Sequence, residues 1–254
     1  MIYAYDGTWG GMMTLVYRTA RDGAFPDDIV RFSSTETAGL LLESALVRSE
    51  PPVAEAVAAV LDCRVGGRWL SDACLALMAE EEGIDLAVWR YLFRLWREGR
   101  RAAMDLAAPC VGAVLHAARR SSRELHRWMG LVRFRDVGGG YYAAFAPDCD
   151  VLPLLADHFC GRLPDRWVLH DVRRGRAVLH EQGRWLMTDA ALPAESLRVT
   201  REEAVCQRLW QEFFRSAAVK ERRSAKRQMR FLPKRTWGYL IEKPGETAHD
   251  PFGN

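Results

Sequence analysis

The feature that most constrains this chain is a change of hydrophobic period near residue 130. Before it, apolar residues recur at helical spacing. After it, short apolar and aromatic runs are separated by glycine turns. A helix buries a stripe and a strand buries alternate residues, so the two periods call for different packing. Segregated along one chain, they predict an α+β protein.

The helical part comes first. Ile2–Tyr5 reads as a short strand and Asp6-Gly7 as a turn, with Thr8 capping a helix that runs to about Thr19 and turns Met12, Leu15 and Val16 inward. Ile29–Phe32 reads as a second strand. Helices are expected over 36–48, 51–62 and 69–82, broken at Pro51-Pro52 and Gly66-Gly67. Another begins at Asp85 with Val88, Tyr91, Leu92 and Leu95 on one face, and 101–129 is helical in two pieces interrupted near Pro109. Residues 1–118 therefore form a mostly helical N-terminal region.

In 119–192, strands at Leu131–Arg135 and Tyr141–Phe145 flank Gly138-Gly139-Gly140, a hairpin signal. A helix over Val151–Leu163 and strands at Trp167–Asp171 and Arg176–His180 complete a small antiparallel ββαββ unit, the helix on one face. Residues 193–240 form a basic helical segment. Its tract 201–230 carries an apolar stripe at Val205, Leu209, Phe213 and Ala217, and Pro233 ends it. Residues 241–254, with Pro244, Gly245 and Pro251, read as a flexible tail. No long polar linker separates the parts, which predicts packing as one globule.

Composition bounds the function. A hydrophobic fraction of 49% with 27% charged residues gives enough apolar surface for a core and argues against global disorder. The six cysteines are scattered without a CxxC pair, which suits reduced thiols. Residues 1–20 contain Asp6 and lack the apolar block of a secretory signal, and no apolar run approaches the ~18 residues of a membrane span. A cytoplasmic protein without a membrane partner is the expectation.

The whole-chain charge is +3, but from Arg215 to Arg235 nine Lys/Arg face one acid, Glu221. A second basic stretch, Arg119–Arg135, sets six arginines against Glu124. Segregated positive charge suits a polyanion. On a helix Arg223, Lys226, Arg227 and Arg230 share a face, with Arg222 beside them, and Phe231 and Trp237 offer rings for base stacking. Lys234 and Arg235 extend the tract, and Arg127, Arg133 and Arg173 are the further phosphate-binding candidates. A solvated helix face, or an acidic protein partner, is the competing reading of the tract.

His126, His158, His170 and Asp171 are the candidates for acid–base chemistry. His170 and Asp171 are adjacent on a strand and point to opposite faces, so they are not expected to form a dyad with each other. A polar turn fixed by an Asp–Arg pair is the alternative for 170–174. Asp148 and Asp150 read as a loop and helix cap. The spacing of Cys149, His158 and Cys160 matches no zinc signature, and no phosphate loop, dinucleotide fingerprint or nucleophile elbow is present, so no metal or cofactor is expected.

Several runs taken together carry a resemblance. They are Tyr5-Asp6-Gly7; His126-Arg127 with Gly130 and Arg133-Phe134; Pro147-Asp148 leading into Val151–Leu155 and His158-Phe159; His170-Asp171 with Arg173; and Gln228 ahead of Pro233-Lys234-Arg235 and Trp237. Over about residues 1–242, and most densely over 123–237, the chain resembles a bacterial family described as DNA metabolism or DNA repair proteins. Ser224 and Thr236 depart from the family's pattern. The resemblance implies a companion radical SAM protein, and it extends to a region found ahead of uracil-DNA glycosylase-like domains. The chain itself lacks the three-cysteine motif of radical SAM enzymes. The resemblance supplies a setting and no mechanism. Three readings stay open: a nucleic-acid-binding accessory, a nucleic-acid-modifying enzyme or hydrolase, and a protein-interaction adaptor.

Overall fold

A computed structural model of the chain describes residues 1–32, 44–189, 198–219 and 224–242, the side chains of Ala225 and Arg227 excepted. It is a mixed helix-and-sheet protein in two compact units, Met1–Arg123 and Glu124–Asn254. Among the described residues no helix is long and apolar enough to cross a membrane.

The first unit holds β1 (Ile2–Tyr5), α1 (Trp9–Asp22), β2 (Asp28–Arg31), β3 (Ser44–Val47), α2 (Pro51–Val65), α3 (Gly67–Leu77), α4 (Ile84–Glu98), α5 (Arg100–Met104) and the first part of α6 (Pro109–Leu131). Its three strands form a parallel sheet in the order β2-β1-β3, with Ile2–Tyr5 in register against both neighbours. The central strand buries Tyr3, Ala4 and Tyr5, as a strand paired on both edges requires. Thr8 caps α1, its hydroxyl accepting the Gly11 N–H at 2.9 Å, and Gly23 ends it in the left-handed conformation. Pro51-Pro52 occupy the first turn of α2, where no backbone donor is missed. Met12, Leu15, Val16, Val88, Tyr91, Leu92 and Leu95 all lie in the core, on the faces the spacing predicts.

One expectation fails here. Residues 44–47 form β3, inside the stretch read as helix over 36–48; residues 36–43 lie outside the described residues. β3 is a half-buried strand at the edge of the sheet, four residues are too few to show a period of two, and beside a leucine run its pattern looks helical.

The second unit holds the end of α6, β4 (Arg135–Asp136), β5 (Tyr141–Phe145), α7 (Leu152–Cys160), β6 (Trp167–Asp171), β7 (Arg176–Glu181), β8 (Arg184–Asp189), α8 (Arg201–Ser216), α9 (Ala225–Phe231) and a 3-10 helix at Lys234–Tyr239. The sheet runs β4-β5-β6-β7-β8. β4–β5 is the expected hairpin, with Gly138 and Gly139 at positive φ. Three features correct the antiparallel ββαββ expectation. β5 and β6 pair in parallel, because α7 carries the chain back to the same end of the sheet before β6 begins. A fifth strand, β8, follows β7 through a two-residue turn at Gln182-Gly183, both at positive φ. The strand expected at Leu131–Arg135 shrinks to Arg135–Asp136, since α6 continues to Leu131 and buries Trp128. α7 and the end of α6 cover one face of the sheet, where Trp128, Phe145, Leu152, Leu155, Leu169 and Val178 make the core.

The tract 201–230 is not one helix. α8 ends at Ser216, and residues 217–219 leave the helical path. Nor is its stripe buried. α8 has no buried residue, and Leu209 and Phe213 are 65% and 59% exposed.

Candidate nucleic-acid interface

Loops that follow parallel strands collect at the strands' C-terminal ends, where an α/β sheet places its functional groups. Here the ends are Phe145 and Asp171, partners in register. The chain leaves β5 through Ala146–Asp150 and leaves β6 through a turn at Val172–Gly175.

Asp171 fixes that turn. Its carboxylate is wholly buried and accepts the backbone N–H groups of Arg173 at 3.0 Å and Arg174 at 3.2 Å, and the Arg174 guanidinium at 2.9 Å. Burial pushes the Asp171 carboxyl up, and Arg174 opposes that shift. Arg174 also donates to the carbonyls of Pro147 (3.2 Å) and Asp148 (3.1 Å), joining the two loops. The turn fixed by an Asp–Arg pair is therefore present, with Arg174 as the arginine.

Asp148 is the next node. It accepts Arg173 at 3.0 Å and pairs with Arg235 at 2.6 Å, while its own N–H donates to Glu124 at 3.1 Å. This is not the helix cap expected of it: Val151 precedes α7, and no side chain caps that helix. Glu124, near the end of α6 and 4% exposed, accepts the Trp128 indole N–H at 3.0 Å and Arg235 at 3.2 Å, and pairs with Arg127. Burial pushes the Glu124 carboxyl up, but these donors outweigh it and hold the group below the ordinary range. Asp150 pairs with Arg176 beside them.

The sequence-predicted residues divide accordingly. Arg127, Arg173 and Arg235 are drawn into one network on Glu124 and Asp148, and Arg133 pairs with Glu242 at 2.8 Å. Trp237 is buried with its indole N–H on the Leu232 carbonyl, so its ring packs and presents no open face for stacking. Lys226, Arg230 and Lys234 are exposed; Arg230 lies over the Phe231 ring at 5.9 Å, and Phe231 is 71% exposed. Arg222 and Arg223 lie outside the described residues, as does the side chain of Arg227.

The three candidate histidines do not converge. His126 is exposed on α6, and His158 packs edge-on against Phe159. His170 is buried and shares a hydrogen bond of 2.7 Å with the Tyr142 hydroxyl through Nδ1. Burial lowers the His170 pKa and pushes the Tyr142 phenol up to about 12. His170 and Asp171 thus face different partners, as adjacent strand residues must. Among the described residues no group of three or more His, Cys, Asp and Glu could hold a metal.

Glu124, Asp148 and Arg174 were missed as parts of this cluster. The one available signal was that Glu124 is the sole acid among six arginines in 119–135, where a buried countercharge is most useful.

No curated protein and no solved structure matches the chain. The sequence pattern of a family described as a domain of unknown function, DUF4130, matches residues 82–242, which include α4, all of the five-stranded sheet and the 3-10 helix that carries Arg235. That span is more than half of the chain, and the protein therefore belongs to the DUF4130 family.

Proposed function

We propose that this protein is a nucleic-acid-binding accessory in DNA metabolism or repair, working beside a radical SAM protein. The binding role rests chiefly on one observation. The stretch 224–235 carries no acid, and it exposes Lys226, Arg230 and Lys234 beside an exposed Phe231. Cations of this kind displace counterions from a phosphate backbone, and an exposed ring stacks on bases of any sequence. Arg235 ties the end of this stretch to Asp148 and Glu124, which gives the exposed cations a fixed base. The radical SAM partner and the repair setting come from the family resemblance alone.

The test is a titration of the folded protein with single- and double-stranded DNA across salt. Affinity should fall as salt rises. Lys226→Ala, Arg230→Ala and Lys234→Ala together should weaken binding and reduce the magnitude of the log–log salt slope by about 2–3, for three lost phosphate contacts. No binding at low salt would remove the reading. It would favour instead an adaptor whose basic stretch meets an acidic protein surface.

A further inference from the structure

The first unit contains a cleft of about 600 Å³ lined by Phe25, Pro26, Trp89, Arg90, Phe93 and Arg97, within the size range of small-ligand sites. Its aromatic side is built from the core outward. Trp89 is buried on α4, and its indole N–H donates to the Thr19 hydroxyl at 3.0 Å. Phe93, one turn along the helix, stacks on Trp89 with centroids 5.0 Å apart and planes 18° apart. Arg97, a further turn along, lies over the Phe93 ring at 5.9 Å. The loop after α1 sets Phe25 edge-on to both rings, at 5.3 Å from Phe93 and 6.2 Å from Trp89, and leaves it 59% exposed.

The charges are sorted in the same way. Arg94 is tied by Glu98 and Asp105, each at 2.9 Å, and Asp27 is held by the Met1 amino group. The acids bordering the cleft are thus already paired. Arg90 and Arg97 are exposed, and Arg97 feels the charge of Glu98, whose carboxylate is bonded to Arg94. An anchored aromatic wedge with two exposed guanidinium groups offers a π-face and a double positive charge at once. That pairing recognises a planar ring joined to a phosphate.

We propose that this cleft binds a nucleoside monophosphate unit, free or within a single strand, with the base on Phe25 and the phosphate against Arg90 and Arg97. The assignment rests on the nucleic-acid reading above and adds a contact site apart from the basic stretch at 224–235. Aromatic rings fixed by the core lose little freedom on binding, which favours recognition of even a single nucleotide.

The experiment is calorimetric titration of the full chain with deoxyadenosine monophosphate, deoxyadenosine, ribose 5-phosphate and a short single-stranded oligodeoxyadenylate. The monophosphate should bind more tightly than either half of it. Phe25→Ala should weaken its binding by roughly tenfold or more, and Phe25→Trp should retain it. Arg90→Ala with Arg97→Ala should likewise cost roughly tenfold or more. These side chains are exposed, so melting should be little changed. Binding of the monophosphate with no strengthening by the oligomer marks a free nucleotide as the ligand; strengthening marks a strand. If the folded protein binds the oligomer but not the monophosphate, and Phe25→Ala leaves the oligomer's affinity unchanged, the inference is overturned while the accessory reading stands. If Phe25→Ala abolishes monophosphate binding while the triple Lys226, Arg230 and Lys234 variant binds DNA like the wild type, the basic-stretch reading fails and the cleft remains.

Discussion

Two regions of the second unit use similar residues in different ways. Around the ends of β5 and β6, arginines meet carboxylates: Arg127 and Arg235 on Glu124, Arg173 on Asp148, and Arg174 on Asp171. The aromatics there, Trp128, Phe145 and Trp237, are buried. In the region 201–231, α8 buries no residue, Phe213 and Phe231 are exposed, and the exposed Lys226 and Arg230 lie in a stretch, 224–235, that carries no acid. The difference follows from where the carboxylates lie. A guanidinium with a buried or half-buried acid within reach becomes a strut between loops; one without stays hydrated and available to a polyanion.

The comparison is most severely tested at Glu124. Glu124→Ala removes an acceptor shared by Arg127, Arg235, the Trp128 indole and the Asp148 N–H, and strands positive charge in a partly buried place. The expected loss is about 3–5 kcal/mol, read by denaturant unfolding. A change below about 1 kcal/mol would place the network among ordinary surface pairs.

The same group gives a pH dependence. Its folded-state carboxyl titrates below the ordinary 4.5, so the unfolded chain takes up the proton first. The stability it contributes is full above that value and is lost as pH falls through the folded-state pKa. Glu124→Gln keeps an acceptor but cannot titrate, so its melting temperature should fall less steeply than the wild type's between about pH 5 and pH 3. Parallel slopes would mean that other acids, Glu242 among them, carry the acid sensitivity; Arg133 and the Trp210 indole help to hold the Glu242 carboxyl below its ordinary range.

Much of this architecture is legible in the sequence. Thr8, Pro51-Pro52, Gly66 and the three glycines at 138–140 act through their own backbone chemistry, and each stands where its element begins, ends or turns. What was not legible depends on distant partners. Nothing local to Ser44–Val47 says that it pairs with Ile2–Tyr5, and nothing in Tyr141–Phe145 says that its neighbour runs parallel. β8 has a local signal in Gln182-Gly183, a two-residue turn with both residues at positive φ. At the site, the cations were found because charge can be counted along a sequence. Their fates could not be read, since Arg235 meets Glu124 across 111 positions and only the fold brings them together.

A milder change sharpens the contrast from the other side. Removing Lys226, Arg230 and Lys234 together should leave unfolding nearly unchanged, each within about 0.5 kcal/mol, because all three are exposed. Arg173→Ala probes the boundary between the regions: Arg173 is half exposed yet bonded to Asp148, so a loss near 1 kcal/mol is expected, between the two extremes.

The smallest effect on stability is expected on α8. Its spacing reads as a core-facing stripe, and a stripe packed in a core would lose about 2–5 kcal/mol for each large side chain cut back. Leu209 and Phe213 sit one turn apart on that stripe and are mostly exposed, and the contacts that hold the helix lie elsewhere on it. The Trp210 indole donates to Glu242 at 3.2 Å, the Gln211 amide donates to the Ile241 carbonyl at 3.0 Å, and the Thr200 hydroxyl caps the first turn. Leu209→Gln with Phe213→Gln leaves all three in place, and glutamine is a good helix former. The double variant should therefore unfold within about 0.5 kcal/mol per substitution of the wild type, and more reversibly, since it exposes less apolar surface to association. Trp210→Ala should cost more than either change, because it removes a hydrogen bond as well as a ring. If the glutamine pair instead lowers stability by several kcal/mol, the stripe is covered in solution, and α8 belongs with the tied region of this unit.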